Sequence, residues 1–294
     1  MEPLPAATPL PVPVRIAHLS DVHFGRIAHP EVVSALLDEV NGADIDLVAL
    51  SGDLTQRARR REFAAARAMI DAFEAPAIVV PGNHDVRAWW HNPVDRVWRS
   101  TSRFRKMITD QRVPAVEARG VVAVGINSAH GLTVKGGRIR SADLAAMEAR
   151  FAEAPPDSFR ILVVHHHLLR LEALGEHDVS QGAHRALDAA RRARVDLILC
   201  GHLHRSHVAP VEIAPKSAAD PDGHTLVVAS AGTATSSRGR ADNAGVNLYN
   251  WVTVEGGTFT VGERRFDPDA GTFHLERETT FPRNRTAERA VSRS

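Results

Sequence analysis

The residues most suited to chemistry lie where a short apolar segment ends and a polar turn begins. Residues 77–80 form a β-branched run that predicts a buried strand, and residues 81–85 follow it directly. In that turn Asn83 offers a carbonyl oxygen, His84 a ring that can hold or release a proton, and Asp85 a carboxylate. Burying three such groups is costly. The turn is therefore either an ordinary polar loop or part of a site.

Similar polar groups recur at other predicted strand ends, and this recurrence favours a site. These ends supply Asp21 and His23 after residues 14–19, Asp53 after residues 46–50, His165 after residues 160–164, and His202 with His204 after residues 195–200. Residues two apart on an extended chain point to the same side, so each close pair is a candidate half of a metal site. Together with Asn83 the set exceeds the usual four ligands of one zinc ion. Two ions that share a carboxylate fit the set.

Amphipathic helices are predicted between these strands. They fall at residues 30–41, around residues 63–73, from Ser141 as N-cap to residue 154, and at residues 183–194. Alternation of strands and helices predicts a parallel sheet with right-handed crossovers, in which ligands bind beyond the carboxyl ends of the strands. Later runs at residues 226–229, 246–254 and 258–266 predict a second, more antiparallel sheet.

Composition excludes several classes of partner. The 294 residues carry 36 basic and 35 acidic side chains, so no overall field would draw the protein to nucleic acid or to anionic lipid. No apolar run approaches the roughly 18 residues of a membrane span. The single cysteine excludes an intrachain disulfide and suits a reducing compartment, so we expect a cytoplasmic protein.

One folded domain is predicted between two unstructured ends. Residues 1–13 are rich in proline and alanine and predict a flexible arm instead of a signal peptide. The domain is placed at residues 14–280, and residues 281–294 predict a disordered tail. Residues 86–119 interleave aromatic and arginine side chains. They predict either a helical excursion packed on the core or a cap that binds an anionic substrate.

The motifs, taken in order, resemble those of the calcineurin-like metallophosphoesterases. The family's pattern of Asp-x-His, Gly-Asp, Gly-Asn-His-Asp, His and Gly-His-x-His is met with similar spacing across residues 14–206. The wording of residues 52–57 and 80–85 is similar to that of the bacterial cyclic-nucleotide phosphodiesterase branch. Residues 230–234, Asn247 and Asn250 also resemble residues of that branch.

The resemblance implies a four-layer αββα sandwich, an α/β fold with a dimetal site at the C-terminal ends of the strands. It implies a first ion held by Asp21, His23 and His204, a second held by Asn83, His165 and His202, and Asp53 as a bridge between them. The two divalent ions would be Mn, Fe, Zn or Co, since Asp and His ligands without thiolate do not choose among them. His84 would be catalytic and lie over the substrate phosphate, oriented by Asp85.

One departure from the family leaves a choice open. The family often has His-Pro after the fifth strand, whereas here residues 165–167 are three histidines followed by leucine. His165 is taken as the ligand because it comes first after the strand. His166 and His167 are expected to support the ligands from behind or to face the substrate. Further candidates for substrate contact are Arg57, Arg205 and Arg238, for which a surface arginine is the alternative.

The predicted function is a metal-dependent phosphoesterase that uses a metal-bridging hydroxide. The substrate expected first is a small phosphodiester such as a 3',5'-cyclic nucleotide. Alternatives on the same site are a phosphomonoesterase, a UDP-sugar or lipid pyrophosphatase, and a nuclease. An alternative of another class is a non-catalytic scaffold with this fold. The sole partner predicted is a small phosphate ester, without general nucleic-acid binding.

Overall fold

Two β-sheets stacked face to face form the centre of the structure. The computed structural model describes residues 13–86, 100–131, 136–211, 224–240 and 243–283. The strands of the first sheet are β1 (Val14–Leu19), β2 (Leu47–Leu50), β3 (Ala77–Val79), β10 (Leu248–Glu255), β11 (Thr258–Asp267) and β12 (Thr272–Pro282), in the order β12-β11-β10-β1-β2-β3. The strands of the second sheet are β4 (Ala115–Ala118), β5 (Val121–Gly125), β6 (Phe159–Val163), β7 (Leu197–Cys200), β8 (His207–Val211) and β9 (Leu226–Ser230), in the order β4-β5-β6-β7-β9-β8.

Helices cover the outer face of each sheet. They are α1 (Val32–Asn41), α2 (Arg60–Asp71), α3 (Ser102–Met107), α4 (Ser141–Glu153) and α5 (Ala183–Arg192). The buried faces of α1, α2 and α3 share one apolar core with β1 and β2, and those of α4 and α5 share another with β5 and β6. A third core lies between the sheets, where Phe159 packs on Phe259 with ring centroids 4.9 Å apart. The predicted four-layer αββα sandwich is confirmed.

The distribution of strands between the sheets differs from the prediction. β1, β2 and β3 are parallel, and β10 pairs antiparallel with β1, so β10 and β11 extend the first sheet whereas β9 joins the second; the three late runs do not form a sheet of their own. β5, β6, β7 and β9 form the parallel part of the second sheet. Because most of these strands are buried on both faces, their apolar runs look alike in sequence and do not reveal which sheet each one joins.

Smaller corrections concern the ends of elements. Ser141 is the first residue of α4 and not its N-cap, a place that Arg140 takes without a side-chain hydrogen bond. The tail predicted from residue 281 begins too early, because β12 runs to Pro282 and Phe281 packs between the sheets. Because most side chains of β12 are polar, its sequence does not show the alternation of apolar and polar residues that predicts a strand. Residues 1–12 and 284–294, including most of the predicted arm and tail, lie outside the described residues.

The fold places the predicted chemistry at one edge. Turns after β1, β2 and β3 in the first sheet meet turns after β6 and β7 in the second. Within the described ranges, every helix is too short or too polar to cross a bilayer.

Candidate metal centre

A first group of side chains surrounds the Asp21 carboxylate. Its Oδ1 atom lies 3.6 Å from His23 Nε2 and 3.3 Å from His204 Nε2. The rings of His23 and His204 are stacked, with centroids 5.0 Å apart. Asp21 Oδ2 faces the other way and accepts hydrogen bonds from the Ser20 hydroxyl at 2.7 Å and from the His202 amide at 2.9 Å. The carboxylate is therefore fixed with one oxygen left for the group.

A second group surrounds the Asn83 side-chain carbonyl. Asn83 Oδ1 lies 2.9 Å from His202 Nδ1 and 3.2 Å from His165 Nε2. These three residues follow β3, β6 and β7, so the two sheets together build this group.

The Asp53 carboxylate connects the two groups. Its Oδ2 atom lies 3.6 Å from His23 Nε2 in the first group and 3.5 Å from His165 Nε2 in the second. Its Oδ1 atom accepts a hydrogen bond from the His84 amide at 2.7 Å. The Asp53 carboxylate thus lies between one group of Asp21, His23 and His204 and another of Asn83, His165 and His202.

The residues present fit divalent ions. Asp21 Oδ1, His23 Nε2 and Asp53 Oδ2 are buried and have no hydrogen-bond partner among the described residues. Unpaired buried polar atoms are costly, so their convergence indicates a cation. Ligands that lie about 2.0–2.2 Å from one ion are separated from one another by roughly 2.8–3.6 Å. The separations between candidate ligand atoms, 2.9–3.6 Å, fall in that interval.

Ring partners fix which nitrogen of two histidines faces the centre. His23 Nδ1 lies 3.2 Å from the Thr55 carbonyl, and His165 Nδ1 lies 2.7 Å from the Ser51 carbonyl. A carbonyl only accepts, so each Nδ1 carries a proton, and in the neutral ring the lone pair lies on Nε2. That is the form in which imidazole binds a metal ion.

Backbone strain is concentrated at the same residues. Asp21, His23, Asp53, His202 and His204 all have positive φ angles, between 50° and 74°. This left-handed region is unfavourable for residues with a Cβ atom, and it persists where the surrounding structure enforces it.

Two glycines permit the close approach of these turns. A Cβ atom on Gly82 would lie 2.1 Å from Asp53 Oδ1, and one on Gly201 would lie 1.8 Å from Ser20 Oγ.

Electrostatics keep the two carboxylates charged despite their burial. Burial opposes ionisation, but His204 and His23 near Asp21, and His165 and His84 near Asp53, hold the pKa of each carboxyl below its usual range. Burial lowers the pKa of His202 to about 3 and that of His204 to about 4, so both rings are neutral.

His165 is the exception among the histidines. Burial acts to lower the pKa of its ring, but the charge of Asp53 and its hydrogen bond, the charge of Asp21 and the Ser51 carbonyl together outweigh burial and raise the pKa to about 9. The ring would have to release this proton to bind an ion, which would then supply the positive charge opposite Asp53.

His84 lies beside the centre, but Asp85 does not orient it. The His84 ring meets the His23 ring edge-on, with centroids 4.7 Å apart, and donates from Nδ1 to the Gln56 carbonyl at 2.8 Å. The predicted orientation by Asp85 is therefore wrong. Because Nδ1 is the fixed donor, Nε2 can release a proton only from the doubly protonated ring. Burial lowers the pKa of that ring.

Asp85 instead ties the turn after β3 to the turn after β2. It is fully buried and accepts hydrogen bonds from the amides of Leu54, Thr55 and Gly82 and from the Thr55 hydroxyl, at 2.9–3.1 Å. Burial, followed by the nearby charge of Asp53, raises the pKa of Asp85 to about 6.

The predicted substrate contacts have different surroundings. Arg238 is half-buried and donates at 3.3 Å to the side chain of Gln56, the residue whose carbonyl orients His84. Arg205 donates to the carbonyls of Ala173 and Leu174 and so supports another loop. Arg57 is exposed, and its amide donates to Glu62. Of the three arginines, Arg238 has the clearest connection to the centre.

His166 and His167 have separate environments. His166 lies in the cluster with His165 and His202, within 4.8 Å measured between ligand atoms. His167 faces away from this cluster, with Nδ1 3.8 Å from Cys200 Sγ and Nε2 3.4 Å from Ser230 Oγ.

A cavity of about 290 Å³ is lined by the turns after β3 and β5 and by residues of α3. Its wall includes Pro81, two residues before Asn83, and Asn127, which precedes the Ser128 partner of His166. The cationic side chains of the wall are Arg105, Arg112, Arg138 and Arg140. Asp143 is the acidic member, and Arg112 pairs with it at 2.7 Å.

The predicted excursion at residues 86–119 is described only in part. Residues 87–99 lie outside the described residues. In the remainder, Phe104 of α3 is buried against Phe63, as the packing alternative expects, while Arg105 of the same helix lines the cavity.

Comparison with known proteins establishes the family. The calcineurin-like phosphoesterase family matches residues 14–206 of the chain. The chain therefore belongs to that family, as the motifs predict.

Individual proteins are similar to this chain at low sequence identity. The 3',5'-cyclic adenosine monophosphate phosphodiesterase CpdA of Escherichia coli (strain K12) is 24% identical over 212 residues, which are 65% of this chain and 70% of that protein. Purple acid phosphatase PPD1 from yellow lupin superposes with a TM-score of 0.65 at 13% identity and covers 95% of this chain. This chain spans only 55% of that phosphatase. A dimetal phosphatase from Danio rerio superposes with a TM-score of 0.61 at 11% identity and covers 92% of this chain and 99% of its own. These two likenesses concern the fold.

Sequence reasoning missed the groups that hold the candidate ligands. The carbonyls of Ser51, Thr55 and Gln56 orient three imidazoles, and main-chain acceptors leave no signal in residue type. Ser20 could have been suspected, because it directly follows the strand predicted at residues 14–19.

Asp85→Asn tests the structural role of Asp85. The amide would face buried donors, and each donor left unpaired should cost about 1–3 kcal/mol in the free energy of unfolding. Urea denaturation of the metal-free protein measures the effect. Asp71→Asn is the control, because Asp71 is exposed on α2 and pairs with Arg67, so its change should stay within about 0.5 kcal/mol. Unchanged stability of Asp85→Asn would contradict this role.

Proposed function

We propose that the protein is a metal-dependent phosphodiesterase that hydrolyses a small phosphodiester such as a 3',5'-cyclic nucleotide. The observation that carries this proposal is the pair of ligand groups that share the Asp53 carboxylate next to the His84 ring. The first ion would be held by Asp21, His23 and His204, and the second by Asn83, His165 and His202.

Two divalent ions held here would lower the pKa of water and neutralise charge on a phosphoryl group. The protein's own residues would do the rest. Asn83 adds an oxygen ligand without negative charge, which leaves the centre cationic enough for a phosphate. Arg238 contributes further positive charge at the rim, where the charges of Asp53 and Asp21 act on it. His84 would face the leaving oxygen and supply a proton from Nε2.

The cavity lined by the turns after β3 and β5 supports a small substrate. Its four arginines stand against a single carboxylate, so its wall would favour an anionic or strongly polar part of a bound ester. The similarity to CpdA favours a cyclic nucleotide among the small phosphodiesters. The presence of the whole ligand set and of His84 argues against a non-catalytic scaffold. The cytoplasm stays the predicted compartment.

A turnover screen of purified, metal-loaded protein tests the function. Cyclic nucleotides, phosphomonoesters, linear dinucleotides and UDP-sugars should be compared by kcat/KM with Mn²⁺, Fe²⁺, Co²⁺ and Zn²⁺. We expect the highest kcat/KM on a small phosphodiester. Activity should disappear with a chelator and return with one of the metals, while circular dichroism shows that the fold is kept. Full activity in metal-stripped protein, or turnover of phosphomonoesters alone, would contradict the proposal.

The leaving group tests the role of His84. A sugar alkoxide leaves poorly and needs a proton, so His84→Ala should reduce kcat/KM on a nucleotide diester by roughly 10²–10⁴. A nitrophenolate leaves without a proton, so the same variant should lose much less on bis(p-nitrophenyl) phosphate. Metal content should not change, because His84 lies outside both ligand groups. An equal loss on both substrates would show that His84 stabilises the phosphoryl charge instead.

A further inference from the structure

We propose that His166 is an additional protein ligand of the second ion, alongside Asn83, His165 and His202. This inference rests on the proposed dimetal site and enlarges its ligand set. It also replaces the prediction that His166 faces the substrate.

The position of the His166 ring supports its role as a ligand. Ligand atoms of His165, His166 and His202 lie within 4.8 Å of one another. The His166 ring centroid is 4.8 Å from that of His165 and 4.6 Å from that of His202. The ring thus stands beside two members of the second group.

The lack of a partner for His166 Nε2 among the described residues also supports its role as a ligand. His166 Nε2 is buried and has no hydrogen-bond partner within the described part of the chain. Asp21 Oδ1, His23 Nε2 and Asp53 Oδ2, which face the candidate ions, share this state. A ring that contacts substrate should have a nitrogen that solvent can reach. The His84 ring is partly buried and meets this condition. His166 therefore resembles the candidate ligands more than it resembles the candidate acid.

The contacts that hold the His166 ring in place are also those expected of a ligand. His166 Nδ1 lies 2.8 Å from Ser128 Oγ, which also accepts a hydrogen bond from the His166 amide at 3.2 Å. Gly137 packs on the other side so closely that a Cβ atom there would lie 2.7 Å from His166 Cγ. Ligating histidines usually have their second nitrogen held by such a partner, which fixes the direction of the first.

The neighbouring histidine gives a matched comparison. His167 is equally buried, but its ring lies against Cys200, Ser230 and His177, and the metal-binding cluster does not include it. Burial of an imidazole in this segment therefore does not by itself place it at the centre.

An added imidazole would change the chemistry of the second ion. The ion would have more nitrogen than oxygen ligands, with Asn83 and Asp53 as the oxygen donors. Nitrogen-rich sites suit transition metals such as Zn and Fe, whereas Mg prefers oxygen. We therefore expect Mg²⁺ to compete poorly for this position.

Cobalt-loaded protein with ¹⁵N-labelled histidine tests the inference without using activity. An imidazole bound to paramagnetic Co²⁺ through one nitrogen gives a strongly shifted resonance for the proton on its other nitrogen. His166→Gln should remove one such resonance and weaken binding of the second Co²⁺ by at least tenfold, as loss of a metal-site residue typically does. His167→Gln is the control and should leave the resonances in place. Ser128→Ala, which keeps the imidazole, should move the His166 resonance without removing it.

The outcomes separate this inference from the proposed function. If the native protein binds two Co²⁺ ions and His166→Gln keeps every shifted resonance, the dimetal site stands and His166 is not a ligand. If the His166 signal of native protein stays at its diamagnetic position after cobalt loading, as in metal-free protein, the inference also fails. If the native protein binds fewer than two ions, both the inference and the dimetal site are contradicted.

Discussion

Asp53 provides the interaction on which the rest of the site depends. Its Oδ2 atom faces His23 in one ligand group and His165 in the other, and its Oδ1 atom holds the His84 amide. An ionised carboxylate buried in a protein is stable only when cations or hydrogen-bond donors surround it. The strained turns, the close glycine contacts and the ring partners all serve to bring donors to this carboxylate and to Asp21.

The stacking of two sheets makes this convergence possible. Asp21, Asp53 and Asn83 follow strands of the first sheet, whereas His165 and His202 follow strands of the second. An apolar core between the sheets fixes the distance between these turns. Because loops supply the functional groups and strands supply the rigidity, small errors in packing would be transmitted to the separation of the two ligand groups.

The candidate ligands could be predicted because each follows an apolar strand at short range. The assignment of strands to sheets could not, since β1 and β6 are buried in the same way and read alike. The role of Asp85 was hidden for another reason, because its partners include main-chain amides some 30 residues away. The surroundings of His166 were equally hidden, because Ser128 and Gly137 come from a distant part of the chain.

The bound metal per chain in native protein and in Asp53→Asn tests the account most directly. Elemental analysis after loading with Mn²⁺ and removal of free ion gives this number. We expect about two ions in the native protein and no more than one in the variant, because the side-chain amide that replaces the Asp53 carboxylate is neutral and bridges two ions poorly. Circular dichroism should show that both proteins are folded. Two ions retained by Asp53→Asn with native affinity would contradict the shared carboxylate.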